Sequence, residues 1–360
     1  MIKYPASYAR MRGLKGKLLG KAQLEGFLGV SDTQAIASVL SRTVYGEHLR
    51  DAVDLPRIEH GLKQDLAVSY MKILTFLKGK SGRFLEALLG KFELLNLKSI
   101  IRWFARKPRN TEDSVEPFIF SLGKYHTIPI EEALAADDLE SCIALMEKTP
   151  FARPLEIGYQ QYVQAGIDRA PMGRLFLLEL ALDLDYYERL WRALDALGPL
   201  DKHNAGRLLG IQYDITNLVW ILRFKEYYRL PPEQIFQYII PHGWKIYGDI
   251  SREVIADSDV AGAIVALQVG PYDDLLRSVT QTNAKGEHEV RPYILSVELR
   301  LLRYLYRESL ETFMRFPLQA ALLVAFFVLK EMEIRDIITI LSGRHLGLPQ
   351  EQIRSYMVTL

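Results

Sequence analysis

Apolar residues return along this chain every three to four positions, and almost nowhere do four or more residues alternate in the period of two that a half-buried strand needs. The pattern predicts helices over 57–77, 84–104, 137–146, 154–164, 175–197, 206–228 and 290–313, with Leu178, Leu182, Tyr186 and Leu190 on one stripe of the fifth. A break is expected near Gly79 and Gly82, a helix start at Thr127-Ile-Pro-Ile-Glu131, a linker over 107–113 and a loop over 281–288. The longest apolar run, 316–329, is cut off by Lys330, Glu331, Glu333 and Arg335. It falls short of the roughly 20 residues that span a bilayer and reads as a buried core helix. The fold class is all-α.

The helices repeat. An acid, two spacers, an Asn or Asp and then aliphatics at helical intervals stand at Glu93, Asn96, Leu97, Ile100, Ile101, again at Asp214, Asn217, Leu218, Ile221, Leu222, and again at Glu333, Asp336, Ile337, Ile340, Leu341. Successive copies lie 121 and 119 residues apart. A Glu-x-x-Leu pattern keeps the same clock at Glu59, Glu179 and Glu298, and so does an aromatic followed by Leu one turn on, at Tyr45, Phe151 and Tyr272. The junction Leu230-Pro-Pro-Glu-Gln-Ile235 has a near twin at Leu348-Pro-Gln-Glu-Gln-Ile353, each with proline and an acid in the first turn of a short helix. A fixed period of this length marks tandem modules. The expected domains are three similar helical repeats, 1–112, 113–231 and 232–360.

Composition narrows the function more by exclusion than by indication. A net charge of +1 gives no reason to expect nucleic acid, whose phosphates call for a clustered excess of Lys and Arg. The opening stretch is locally basic, with Lys3, Arg10, Arg12, Lys15, Lys17 and Lys21 ahead of the first acid, Glu25, and reads as a solvated helix face. One cysteine, Cys142, leaves no intramolecular disulfide and fits a reducing compartment. With no apolar signal core at the start, the chain is expected to be cytosolic or attached to a membrane through something else.

Reactive constellations are not apparent. Gly79-Lys80-Ser81 lacks the earlier glycine of a phosphate-binding loop, since Leu74 stands there. The seven histidines include no pair spaced two to five residues apart, and Cys142 has no neighbouring ligand, so neither a metal nor a cofactor is expected. Glu59, Glu179 and Glu298, like Glu93, Asp214 and Glu333, recur once per repeat. A catalytic acid is needed once, whereas a packing or capping role is needed in every module, so all six are read as structural. Arg300, Arg303 and Arg307 share one helix face at steps of three and four, and are the candidates for meeting an acidic partner unless Glu308 and Glu311 neutralise them.

Three stretches carry a family resemblance: Tyr8-x-Arg10-x-Arg12 with Leu18-Leu19; Glu93-Leu-Leu-Asn96-Leu-Lys98; and Leu329-Lys-Glu-x-Glu333-Ile followed by Gly343 and Gly347-Leu348-x-x-Glu351-x-Ile353-Arg354. With the three skeletons they resemble the C-type central-stalk component of prokaryotic A/V-type ATPases, the counterpart of the d-type component in eukaryotic V-ATPases, over essentially the whole chain. The departures are Arg102 and Arg223 where the third skeleton has Ser342, and a first repeat that is shorter between its aromatic and its Glu. The resemblance implies three helical domains around a pseudo-threefold axis, forming a funnel with a central cavity. It implies a non-catalytic central-stalk protein, peripheral on the cytoplasmic face, that links the D- and F-type shaft subunits to the membrane proteolipid ring and transmits torque for proton or sodium transport. Arg300, Arg303 and Arg307 are then the expected shaft-binding residues, and membrane contact runs only through the ring. A helical scaffold from an unrelated assembly would share the repeats but not the specific ending.

Overall fold

In the computed structural model, residues 5–30, 32–50, 52, 54–106, 118–164, 171–256, 260–267, 270–281, 290–315 and 319–360 are described. The helices are α1 (Pro5–Lys15), α2 (Lys21–Leu28), α3 (Thr33–Leu40), α4 (Leu55–Leu74), α5 (Gly79–Arg106), α6 (Ile130–Ala135), α7 (Leu139–Ala144), α8 (Ala152–Gln164), α9 (Pro171–Asp195), α10 (Pro199–Arg223), α11 (Pro232–Gln237), α12 (Gly248–Ala256), α13 (Val260–Ala266), α14 (Asp273–Gln281), α15 (Val290–Arg315), α16 (Ala320–His345) and α17 (Gln350–Ser355). Short 3-10 turns fill some of the connections, and no strand occurs among the described residues.

Two compact units emerge, one of residues 1–66 with 194–360 and the other of residues 67–193. The first is built on α10, α15 and α16, which pack on one another. In α16 every residue from Ala320 to Lys330 is buried, followed by Met332, Glu333, Ile334, Asp336, Ile337, Ile340 and Leu341. A helix apolar on all sides must be enclosed by others, and at about 2 kcal/mol for each fully buried aliphatic side chain this run anchors the unit. In the second unit α5 supplies the spine, with Leu85, Leu88, Leu89, Phe92, Leu97, Ile100 and Ile101 buried. Phe92 meets Tyr70 and Phe120 edge to face at 5.9 and 5.3 Å, and Gly158 of α8 admits the backbone of Leu178 of α9, where an added Cβ would lie 2.9 Å from its Cα.

Several expected boundaries move. The break expected at Gly79 and Gly82 falls before them: Thr75 and Phe76 make the turn, Gly79 takes a left-handed φ of 62°, and α5 then runs through Gly82 without interruption. The helix expected from 206 begins at Pro199, which occupies the first turn behind Gly198, where a missing N–H costs nothing. Its end is drawn out into a π turn, Phe224–Tyr228, closed by Arg229 at φ 49°. The matching position one repeat later is Gly347 at φ 69°, so both Leu-Pro junctions follow a left-handed residue that stops the preceding helix. At the start expected from Thr127, Pro129 caps α6 and Ile130 opens it. The linker over 107–113 lies outside the described residues, as does all of the loop over 281–288 except Gln281.

Candidate functional site

The repeated acids are buried and hydrogen-bonded within the chain. On α5, Asn96 pairs with the backbone of Phe120 in both directions: its Nδ2 donates to the carbonyl at 2.9 Å and its Oδ1 accepts the N–H at 2.7 Å. One turn earlier, Glu93 accepts the backbone N–H groups of Thr127 and Ile128 at 2.6 and 2.8 Å and lies 3.0 Å from Nδ1 of His126. On α10, Asn217 makes the same two-way pair with Ile240 at 2.7 Å each, while Asp214 accepts N–H groups from Lys245 and Ile246 and the hydroxyl of Tyr272 at 2.8 to 2.9 Å. On α16, Asp336 accepts the N–H groups of Val358 and Thr359 at 2.8 Å and the Thr359 hydroxyl. Glu333 accepts the hydroxyl of Tyr45 at 2.5 Å and the backbone N–H of Leu19.

Each pair of side chains therefore clasps an irregular segment whose own backbone would otherwise lack partners, and a buried amide or carboxylate supplies them. The clasped segments lie ahead in the chain for the first two copies, 120–128 for α5 and 240–246 with Tyr272 for α10, while α16 holds the C-terminal residues 358–359 together with Leu19 and Tyr45 far back in the chain. The aromatic markers divide accordingly. Tyr272 and Tyr45 donate to the acids of the second and third copies, whereas Phe151 has no hydroxyl and lies under the Arg189 guanidinium at 4.8 Å. Thr43 and Thr149 each sit two residues before an aromatic and accept its backbone N–H, so these two turns are built alike.

The Glu-x-x-Leu acids meet the ends of the skeleton helices. Arg102 of α5 makes a two-pronged bond to Glu179 at 2.6 and 2.5 Å, and Arg223 of α10 approaches Glu298 at 3.8 Å, with Arg335 at 3.4 Å from the same carboxylate. Ser342 replaces the arginine in the third copy, and Glu59 bonds instead to Lys63 of its own helix. A further charged pair, Lys330 with Asp65, is buried at 3 and 5% exposure, with Nε2 of His48 3.9 Å from Asp65.

Burial governs the electrostatics. It pushes the carboxyl of Glu333 up to about 7 and that of Asp214 up to about 6, in each case outweighing the hydrogen bonds that favour the ionised form. Asp336 and Asp183 rise for the same reason, and the Cys142 thiol, buried on α7, is pushed up to about 11 and is poorly nucleophilic. Among the described residues no three or more His, Cys, Asp or Glu side chains gather as a metal site would require, and no helix is long and apolar enough to cross a membrane.

Of the three arginines on α15, Arg303 is committed within the chain. Its Nε donates to the Met357 carbonyl at 3.0 Å and its Nη2 to the carbonyls of Met357 and Ser355 at 2.7 Å, which pins the C-terminal segment. Arg300 is half-buried and Arg307 exposed. The acids that stood ready to neutralise them are engaged elsewhere, Glu308 with Arg207 at 2.6 Å and Glu311 with Arg315 at 3.2 Å. Sequence reasoning missed the hydroxyls of Tyr45 and Tyr272, which it read only as aromatic markers, the His126 contact, and the Lys330–Asp65 pair, whose signal was a cation at the end of an apolar run.

Comparison with known proteins decides the family. The family described as ATP synthase (C/AC39) subunit matches residues 7–356. The chain belongs to the ATP synthase C/AC39 family. Among relatives named as the C subunit of A-type ATP synthases, that of Methanosphaera stadtmanae is 24% identical over 99% of this chain and 88% of its own length. The Methanocaldococcus jannaschii protein is 22% identical over 98% and 85%, and the Halorubrum lacusprofundi protein 25% over 97% and 96%. For a C/AC39 chain, the polar clasps just described repeat three times, and the matched region takes in nearly all of them.

Proposed function

We propose that this chain is a non-catalytic collar of a rotary ATP synthase, peripheral on the cytoplasmic face of the membrane, which joins the D- and F-type central-shaft subunits to the proteolipid ring and passes torque between them. The observation that carries this reading is the cyclic order of the clasps. The acid of the first repeat holds the second, that of the second holds the third, and Glu333 of the third returns to Leu19 and Tyr45 of the first. A chain whose modules are linked head to tail and back to the start suits three lobes around a central hollow, and a closed ring resists the shear that a rotating shaft imposes. Repetition of the same polar device also supports a structural rather than a catalytic role for these acids.

In this reading Arg300 and Arg307 meet carboxylates of the shaft, while Arg303 braces the C-terminal segment beneath them. Replacing Arg300 and Arg307 together by Glu is expected to weaken binding of the isolated shaft subunits by about tenfold or more at low salt, with the difference shrinking as ionic strength rises. Calorimetry against the shaft subunits measures it, and an affinity equal to wild type at low salt removes these two residues from the interface. Circular dichroism of the double variant checks that the helical fold is intact.

A further inference from the structure

The third clasp is built differently from the other two, and the difference lies at Glu333. Glu93 has two backbone N–H donors, the Thr127 hydroxyl and His126 around it. Asp214 has the backbone donors Lys245 and Ile246 at 2.8 and 2.9 Å, that of Trp244 beside them, and the Tyr272 hydroxyl. Glu333 has one backbone donor, Leu19, and the Tyr45 hydroxyl, and beside it lies a cavity of about 220 Å³. That volume has room for several waters at about 30 Å³ each.

The charged and titratable groups around this carboxyl are few. The Leu19 amide and Tyr45 donate to it and Lys330 and Asp336 act on it from α16 itself, while Lys15 and Lys21 from the start of the chain, Tyr306 from α15 and Thr359 from the C-terminal end line the cavity beside it. Lys15 also lies over the Phe313 ring, and Lys330 is bonded to Asp65, which His48 approaches. Because the cavity presents two ammonium groups together with a carboxyl, it selects neither an anion nor a cation. It does give water a route to an acid that is itself 4% exposed.

We propose that Glu333 is a proton-operated latch between the first residues of the chain and its last long helix: protonated, it lets 15–24 and Tyr45 close over α16; ionised, it draws water into the cavity and loosens them. The sign follows from burial. Desolvation, outweighing Tyr45, Lys330 and Leu19, moves this acid from its ordinary 4.5 to about 7, so the closed form holds a proton that an open, solvated carboxyl releases. Closure is therefore strongest below the ordinary value and is lost as pH rises to about 7. The latch operates near neutrality at the one clasp that joins the two ends of the chain.

Hydrogen exchange read by mass spectrometry on the full chain, corrected for the intrinsic pH dependence of exchange, tests this. From about pH 6 to about pH 8 the ionised fraction of a group titrating near 7 rises roughly tenfold, and amides in 15–24 and around Tyr45 are expected to exchange faster by a similar factor. The segment around Phe120, held by Asn96, stays unchanged and serves as the internal reference. Glu333→Gln, which keeps an acceptor for Tyr45 and Leu19 but cannot ionise, is expected to abolish the rise. No excess exchange in the wild-type protein, or the same rise in Glu333→Gln, overturns the proposal. If that variant does not fold, Tyr45→Phe decides: it removes a donor that favours the ionised form, so the midpoint must move to higher pH, and an unmoved midpoint is the contrary result.

Discussion

The cost of a buried polar group depends on whether its partner stays, and Asn217 makes the point sharply. Its side chain is fully buried and satisfies both the N–H and the carbonyl of Ile240. Asn217→Ala would strand both backbone groups and is expected to cost about 2–4 kcal/mol in chemical denaturation. Asn217→Asp keeps only the acceptor and adds a charge, so it should be at least as damaging. Lys330→Met is expected to cost about 3–5 kcal/mol because it takes the ammonium away from the buried Asp65 carboxylate, whereas the Lys330→Met, Asp65→Leu double variant should recover most of that loss. At Asp214 the folded chain retains a proton up to about pH 6 that the unfolded chain releases near 4. Stability from this site thus falls as pH rises between those values, on the order of 3 kcal/mol in all, and denaturation midpoints across that range measure it against Asp214→Asn, which should lose this share of the slope while keeping that of the other buried acids.

At the level of helices, the legible and the hidden separate cleanly. The period of three to four gave α4, α5, α9, α10, α15 and α16 their places because each buries a broad apolar stripe, and the acid-x-x-Asn skeleton stood out because two buried polar residues on such a stripe are rare. What each acid holds was not legible. The partners are backbone groups in irregular segments some 22 to 35 residues on, or, for Glu333, near the opposite end of the chain, and backbone donors leave no mark in the residue letters. Gly343 carries a related message. An added Cβ there would lie 2.6 Å from Cγ1 of Ile353, which docks α17 on α16. Gly343→Ala is expected to destabilise by about 1–3 kcal/mol and to free the C-terminal segment to proteolysis, and adding Ile353→Ala, which removes the Cγ1 and the Cδ1 that the new methyl meets, should cost less than the two changes summed. Little or no change in the single variant would mean that α17 shifts without cost.

For the whole molecule, repetition and family membership point to the same kind of protein. Three copies of one polar device, linked first to second, second to third and third to first, suit a body whose task is to hold shape. The family was legible because its specific residues, Glu93, Asn96, Glu333, Gly343 and Gly347 among them, are those that the clasps and helix ends require. The arginines proposed to meet the shaft were less legible: three on one face looked equivalent, yet Arg303 is spent on the carbonyls of Ser355 and Met357, a contact that only folding creates. If the collar couples two machines without reacting itself, its removal must separate them. The direct measurement is ATP-driven ion uptake by membrane vesicles whose synthase is assembled with and without this chain, alongside ATP hydrolysis by the same preparations. Hydrolysis is expected to persist without the chain while uptake falls to background, and adding the chain back should restore it; uptake at the wild-type rate in its absence would contradict the collar's coupling role.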